Sequence, residues 1–164
     1  MKLDIVVAGY IVNNDRLLLI HHKKLEKWLP VGGHIKKNEI PDDALKREVK
    51  EEVGINVSFM NYPLPRLRNH FEFAIPFYTN THPISKNHAH YCLFYLCKPK
   101  SLDIKINKKE VLNYGWFGVR ELESFNPPLD KENLETCLEA IYLEKITNEI
   151  TSDKFSFFLR ETFQ

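Results

Sequence analysis

Three carboxylates, Glu48, Glu51 and Glu52, stand within little more than one helical turn of the stretch "REVKEE". At an advance of about 100 degrees per residue they share one arc roughly 100 degrees wide. Leu45, Val49 and Val53 adjoin that arc, while Lys46 and Lys50 take the other side, so the acids border the apolar stripe instead of opposing it. Like charges at this spacing repel by about 0.2–0.5 kcal/mol per pair. Hard divalent cations such as Mg2+ or Mn2+ bind carboxylate oxygens, best where substrate phosphates complete the shell, and so reverse the repulsion. A solvated surface run is the ordinary reading of such charge; the surrounding residues decide between the two.

Those residues form a fixed pattern. Gly33 is followed after five residues by Glu39, after seven more by Arg47-Glu48-Val49, then by Glu51-Glu52 and Gly54-Ile55. The segment resembles the signature box of the Nudix hydrolase family at every position over 33–55, and seven matches at typical residue frequencies of roughly 5–7% do not arise by chance in one chain. The resemblance implies an α/β fold, a mixed β-sheet sandwiched between α-helices, and hydrolysis of a pyrophosphate bond in a nucleoside diphosphate linked to another moiety. It assigns Glu48, Glu51 and Glu52, with the backbone carbonyl of Gly32, as ligands of Mg2+ or Mn2+. The bound cation polarises the diphosphate and acidifies water. Arg47 is implied as a clamp that orients a glutamate, although its spacing from Asp43 and Glu51 is also that of an ordinary helix pair. Glu39 is implied as a supporting acid.

Outside the box, Glu110 in "NKKEVLNYGWF" matches a loop glutamate that in many relatives reaches the metals or acts as general base. Which glutamate is the base stays open between Glu110 and the helix. Substrate choice is less legible. Relatives specialised for ADP-ribose or for dinucleoside polyphosphates place a proline or a tyrosine beyond the box, where this chain has His70, Phe71, Glu72 and Phe73. Arg66 and Arg68 supply guanidinium forks suited to phosphate. His88 and His90 alternate onto one strand face as further substrate-binding candidates, and the lack of a third ligand at close spacing argues against zinc there. A nucleoside triphosphate giving a monophosphate and pyrophosphate is the expected substrate. ADP-ribose or another nucleotide sugar is the alternative, as is a non-catalytic nucleotide sensor, though the intact acids argue against that last reading.

The elements that must hold these residues follow from local signals. Residues 4–12 and 16–21 are β-rich runs around "NND", a hairpin pattern. "WLPVGG" predicts a loop. Pro41 suits the first position of a helix, Asp42 and Asp43 its positive end, and Gly54 its C-terminal cap, which predicts a helix over 41–53. Strands are expected at 88–98 and 113–119. A second amphipathic helix is expected at 129–150, with an Asp cap and Leu134, Leu138, Ile141 and Tyr142 inward. The proline-marked segment between the first helix and residue 88 reads as an irregular binding loop.

The whole chain bounds the rest. At 164 residues one domain over 1–164 is expected. Lys plus Arg (23) against Asp plus Glu (22) gives a net charge of +1, which argues against a nucleic-acid binder that works through a broad basic surface. No apolar run is long enough to cross a membrane and no signal-peptide pattern opens the chain, so a cytoplasmic protein is expected. Cys92, Cys97 and Cys137 lack metal-finger spacing, which predicts reduced thiols packed as small hydrophobes. The tail beyond 150, with "FSFFLRETFQ", is expected to cap the core, line the pocket or bury a homodimer face.

Overall fold

A computed structural model describes residues 1–60 and 73–149. β1 (Lys2–Asn13) and β2 (Arg16–His22) form the expected hairpin. Val12 faces Leu17 and Asn13 faces Arg16, which leaves Asn14 and Asp15 to turn the chain, both left-handed at φ 51° and 58°. Asn and Asp adopt that region more readily than other side chains, and such a turn matches the twist of the strands it joins.

β3 (Lys27–Leu29) and β4 (Val31–His34) follow. β4 corrects the loop expected at "WLPVGG": Val31 to His34 pair antiparallel with Gly9 to Val6 of β1. Helix α1 (Pro41–Val53) opens on Pro41 and ends at Gly54, left-handed at φ 73°, as the sequence predicts. β5 (Val57–Phe59) and β6 (Tyr78–Ser85) both lie in the segment expected to be irregular. β6 carries Pro83 where it pairs with β7 (His88–Pro99), and proline is tolerated on an edge strand because one row of N–H groups has no ladder to join. β8 (Val111–Phe117), α2 (Val119–Glu123) and α3 (Lys131–Glu149) complete the described chain.

The sheet is mixed. β1 runs parallel to β7 from Lys2 opposite His88 to Ile11 opposite Cys97, whereas the β1–β4, β2–β8 and β6–β7 pairs are antiparallel. Side chains alternate across it. Val7, Ile11, Leu18 and Ile20 pack with Ala44, Leu45, Val49 and Val53 of α1. Tyr10, Val12, Leu17 and Leu19 pack with Leu122 of α2 and Cys137, Ala140 and Ile141 of α3. Helices thus cover both faces, and each fully buried Leu or Val contributes about 1.5–3 kcal/mol.

On α3 the buried positions are Thr136, Cys137, Ala140, Ile141 and Glu144. Tyr142, expected inward, is exposed, because the helix is rotated so that Thr136 receives a 2.9 Å hydrogen bond from the Tyr10 hydroxyl. All three cysteines are free and buried. Among the described residues, no helix is long and apolar enough to cross a membrane.

Candidate active site

Helix α1 and strand β4 bring the box together. A Cβ on Gly32 would lie 2.1 Å from the carbonyl oxygen of Val7, and one on Gly33 2.6 Å from the carboxyl carbon of Glu48. Glycine at 32 lets β4 lie flush on β1, and glycine at 33 leaves the Glu48 carboxylate its place against the strand. The Gly32 N–H then donates to Glu52 Oε2 at 3.0 Å.

Arg47 organises the acids around it. Its Nε and Nη2 fork onto Glu39 Oε1 and Oε2 at 2.8 and 2.9 Å, and Nη2 also reaches the His34 carbonyl at 3.0 Å. Nη1 donates to Glu48 Oε1 at 2.6 Å and to Glu51 Oε2 at 3.2 Å. The Glu39 and Glu48 carboxylates hold the guanidinium firmly protonated, and hydrogen bonds from Arg47 and the Lys36 N–H bring Glu39 down to about 2. A bidentate arginine fixes carboxylate orientation in a way a lysine cannot. Glu39 is therefore tied to the helix through Arg47, which reaches from it to Glu48 and Glu51.

Glu52 is the anomaly. It is only 2% exposed, and burial pushes its carboxyl up to about 8, with the charges of Glu48, Glu110 and Glu51 adding to the rise and the Gly32 N–H opposing it. A buried acid among like charges favours the neutral form unless a cation arrives. Glu110 stands in the turn before β8, where its carbonyl accepts from the Lys23 N–H at 2.7 Å. It is exposed and close enough to act on Glu52.

A cavity of about 650 Å3 opens beside these groups, within the range of small-molecule sites. Gly32, Glu52 and His90 lie in its wall, whereas His88 is turned to Asp4, with Nε2 2.9 Å from Oδ2. Arg66, Arg68 and His70 lie outside the described residues. Sequence reasoning missed His34, Asn80, His82, Asn133 and Thr136 in the same wall. For α3 a signal existed: Glu132, Asn133 and Thr136 share a helix face and all three border the cavity, a polar stripe where a purely structural helix would be apolar. His34 follows Gly33 directly, but nothing local shows where its strand lies.

The donor set fits a hard cation: several carboxylates on one face, one of them buried, beside the strand that carries Gly32. Comparison with known proteins gives the family. The NUDIX domain model matches residues 2–139. A protein described as 8-oxo-dGTP diphosphatase from Buchnera aphidicola subsp. Schizaphis graminum is 27% identical over 132 residues, which span 78% of this chain and 87% of that protein. The crystal structure of a hydrolase of the NUDIX family from Clostridium perfringens superposes with a TM-score of 0.75 at 31% identity, covering 87% of this chain and 99% of that one. An ADP-ribose pyrophosphatase from Streptococcus suis shares the fold at a TM-score of 0.53 and 21% identity, over 84% of this chain and 90% of that one. With its family match running from β1 through the whole sheet and α1 into the first half of α3, the chain belongs to the Nudix hydrolase family and is a Nudix pyrophosphohydrolase.

Proposed function

We propose that the enzyme hydrolyses a nucleoside triphosphate to a monophosphate and pyrophosphate, with Mg2+ or Mn2+ held by Glu48, Glu51, Glu52 and the Gly32 carbonyl. The observation that carries this reading is Glu52: a buried carboxylate, raised to about 8 by its surroundings, in the wall of a cavity of nucleotide size. When bound, the cation neutralises the diphosphate and acidifies water. The chain's own residues do the rest. Arg47 holds Glu48 and Glu51 in place, the Gly32 N–H fixes the orientation of Glu52, and the apolar walls formed by Val7, Ile20 and Phe94 exclude bulk water. The triphosphate is preferred to a nucleotide sugar because the relative described as 8-oxo-dGTP diphosphatase is similar along most of both chains, whereas the ADP-ribose enzyme resembles this chain in fold alone.

The test is a Mg2+-dependent hydrolysis screen over nucleoside triphosphates, oxidised ones included, ADP-ribose, dinucleoside polyphosphates and coenzyme A. Triphosphates are expected to give the highest kcat/KM, with pyrophosphate as product. Glu52→Gln is expected to lower kcat by several orders of magnitude with an unchanged circular dichroism spectrum, since it removes a ligand charge without removing volume. Preferred turnover of ADP-ribose would move the substrate reading. Near-normal activity of the Gln variant would remove Glu52 from the metal site. Glu110→Gln distinguishes the base: a large fall in kcat with Mg2+ affinity kept marks Glu110, and an unchanged kcat leaves that role to the helix.

A further inference from the structure

A second group of metal-ligating side chains converges where β1, β4, β6 and β7 meet. The strand registers put it there. In the parallel pair Asp4 lies opposite His90, in the antiparallel β6–β7 pair His82 lies opposite His90, and His34 lies opposite Val6, two residues beyond Asp4. Residues opposite one another or two apart on a strand share a face, so Asp4, His34, His82, His88 and His90 all project from the same side. Local sequence spacing could not show this, since only His88 and His90 are near neighbours.

The contacts are those of a ligand set. His34 Nε2 and His90 Nε2 are 3.3 Å apart. Two nitrogens bound tetrahedrally to Zn2+ at roughly 2.0–2.1 Å are separated by about 3.3–3.4 Å. His34 Nε2 lies 3.9 Å from Asp4 Oδ2, and one ligand atom from each of Asp4, His34 and His90 falls within 4.8 Å of the others. His88 donates to Asp4 Oδ2 at 2.9 Å, the kind of outer contact that orients a ligating carboxylate, while the ring of His82 stands 5.5 Å from that of His90 between centroids. Two imidazoles sharing a proton would give the same 3.3 Å contact. They would not account for His82 from β6 and His88 from β7 on the same face, beside the Asp4 carboxylate, whose Oδ2 also accepts from Lys2 Nζ at 2.7 Å.

We propose that Asp4, His34 and His90 form a binding site for one imidazole-preferring divalent cation of the Zn2+ class, separate from the carboxylate site on α1. Two imidazoles and one carboxylate leave a fourth tetrahedral position open. The donor type separates the two sites, since Mg2+ favours oxygen ligands and water and Zn2+ accepts imidazole. His34 and His90 lie in the wall of the cavity that Glu52 also lines, which gives the open position access to whatever occupies that cavity.

The experiment uses the full chain stripped of metal, alone and as the Glu48→Gln/Glu52→Gln variant that removes the carboxylate site. Zn2+ is titrated by calorimetry, and Co2+ by visible absorbance. The expected result is one equivalent of Zn2+ bound by both proteins, with the intense visible bands of four-coordinate Co2+. His90→Gln and His34→Asn should weaken Zn2+ by more than the roughly 10- to 100-fold that loss of an outer-shell partner costs. His34 has a side chain 58% exposed, so its replacement tests the site without disturbing the core. Zn2+ binding that disappears in the glutamine variant, that survives His34→Asn unchanged, or that is absent from the folded chain would each overturn the proposal.

Discussion

At the scale of single residues, Glu52 and Arg47 are opposites: one is a buried acid held near neutrality, the other a base shared by several acids. The Glu52 carboxyl is raised from 4.5 to about 8, with burial the largest cause. In the metal-free protein the native state keeps a proton that the unfolded chain releases near 4.5. The stability from this group is complete below that pH and is lost as pH rises through about 8. At about 1.4 kcal/mol per pKa unit the loss is on the order of a few kcal/mol. Thermal melts in chelator should show the wild type losing stability across that window more steeply than Glu52→Gln, and Mg2+ should restore most at the alkaline end. Parallel curves for the two proteins would show that burial does not perturb this acid. Arg47→Lys makes a separate prediction. A single ammonium cannot reproduce the fork onto Glu39 and the contact to Glu48 together, so kcat should fall about 10- to 100-fold. The Mg2+ concentration for half-maximal rate should rise with it. A variant with normal Mg2+ dependence would reduce Arg47 to a structural helix pair.

At the scale of elements, the glycines of β4 separate fold from site. The added Cβ of Gly32→Ala meets backbone, the Val7 carbonyl at 2.1 Å, so β1 and β4 must part and the variant should lose more than about 2 kcal/mol of stability. That of Gly33→Ala meets the carboxylate end of Glu48 at 2.6 Å, which can swing aside. This variant should melt near the wild type and lose turnover and Mg2+ affinity instead. Denaturant unfolding and steady-state kinetics on both proteins check the contrast, and equal stability losses would contradict it. The same strand shows what was legible. Helix α1 and the β1–β2 hairpin announce themselves because their signals are local: Pro41, Gly54 and the Asn14–Asp15 turn act within a few residues. β4 does not, since two glycines and a preceding proline carry turn statistics, and only pairing with β1 makes them strand. β5 and β6 were hidden likewise, because a three-residue strand and a proline-bearing edge draw their stability from β7 and not from their own composition.

At the scale of the whole molecule, the box acids were readable because they lie within one helix and its preceding strand. The walls of the cavity were not, because β1, β6, β7 and α3 meet there from across the chain. The Tyr10 hydroxyl reaching Thr136 and the parallel β1–β7 register are products of that assembly. Thiol chemistry offers a readout of the same arrangement. Cys97 is buried on the α1 side of the sheet and Cys137 on the α3 side, where burial raises the Cys137 thiol to about 12. Cys92 is raised only to about 11 and borders the cavity, with its sulfur 3.5 Å from His82 Nδ1. Alkylation requires a thiolate and access. Cys97 and Cys137 should therefore react only when the sheet and its covering helix separate, at a rate that follows global unfolding. Cys92 should react sooner, through the cavity. Peptide mapping of iodoacetamide-treated protein over time should find Cys92 labelled first, and a non-hydrolysable triphosphate analogue with Mg2+ should slow that residue well beyond its effect on the other two. A common rate for all three thiols, with or without the analogue, would mean that the cavity opens only when the whole fold does.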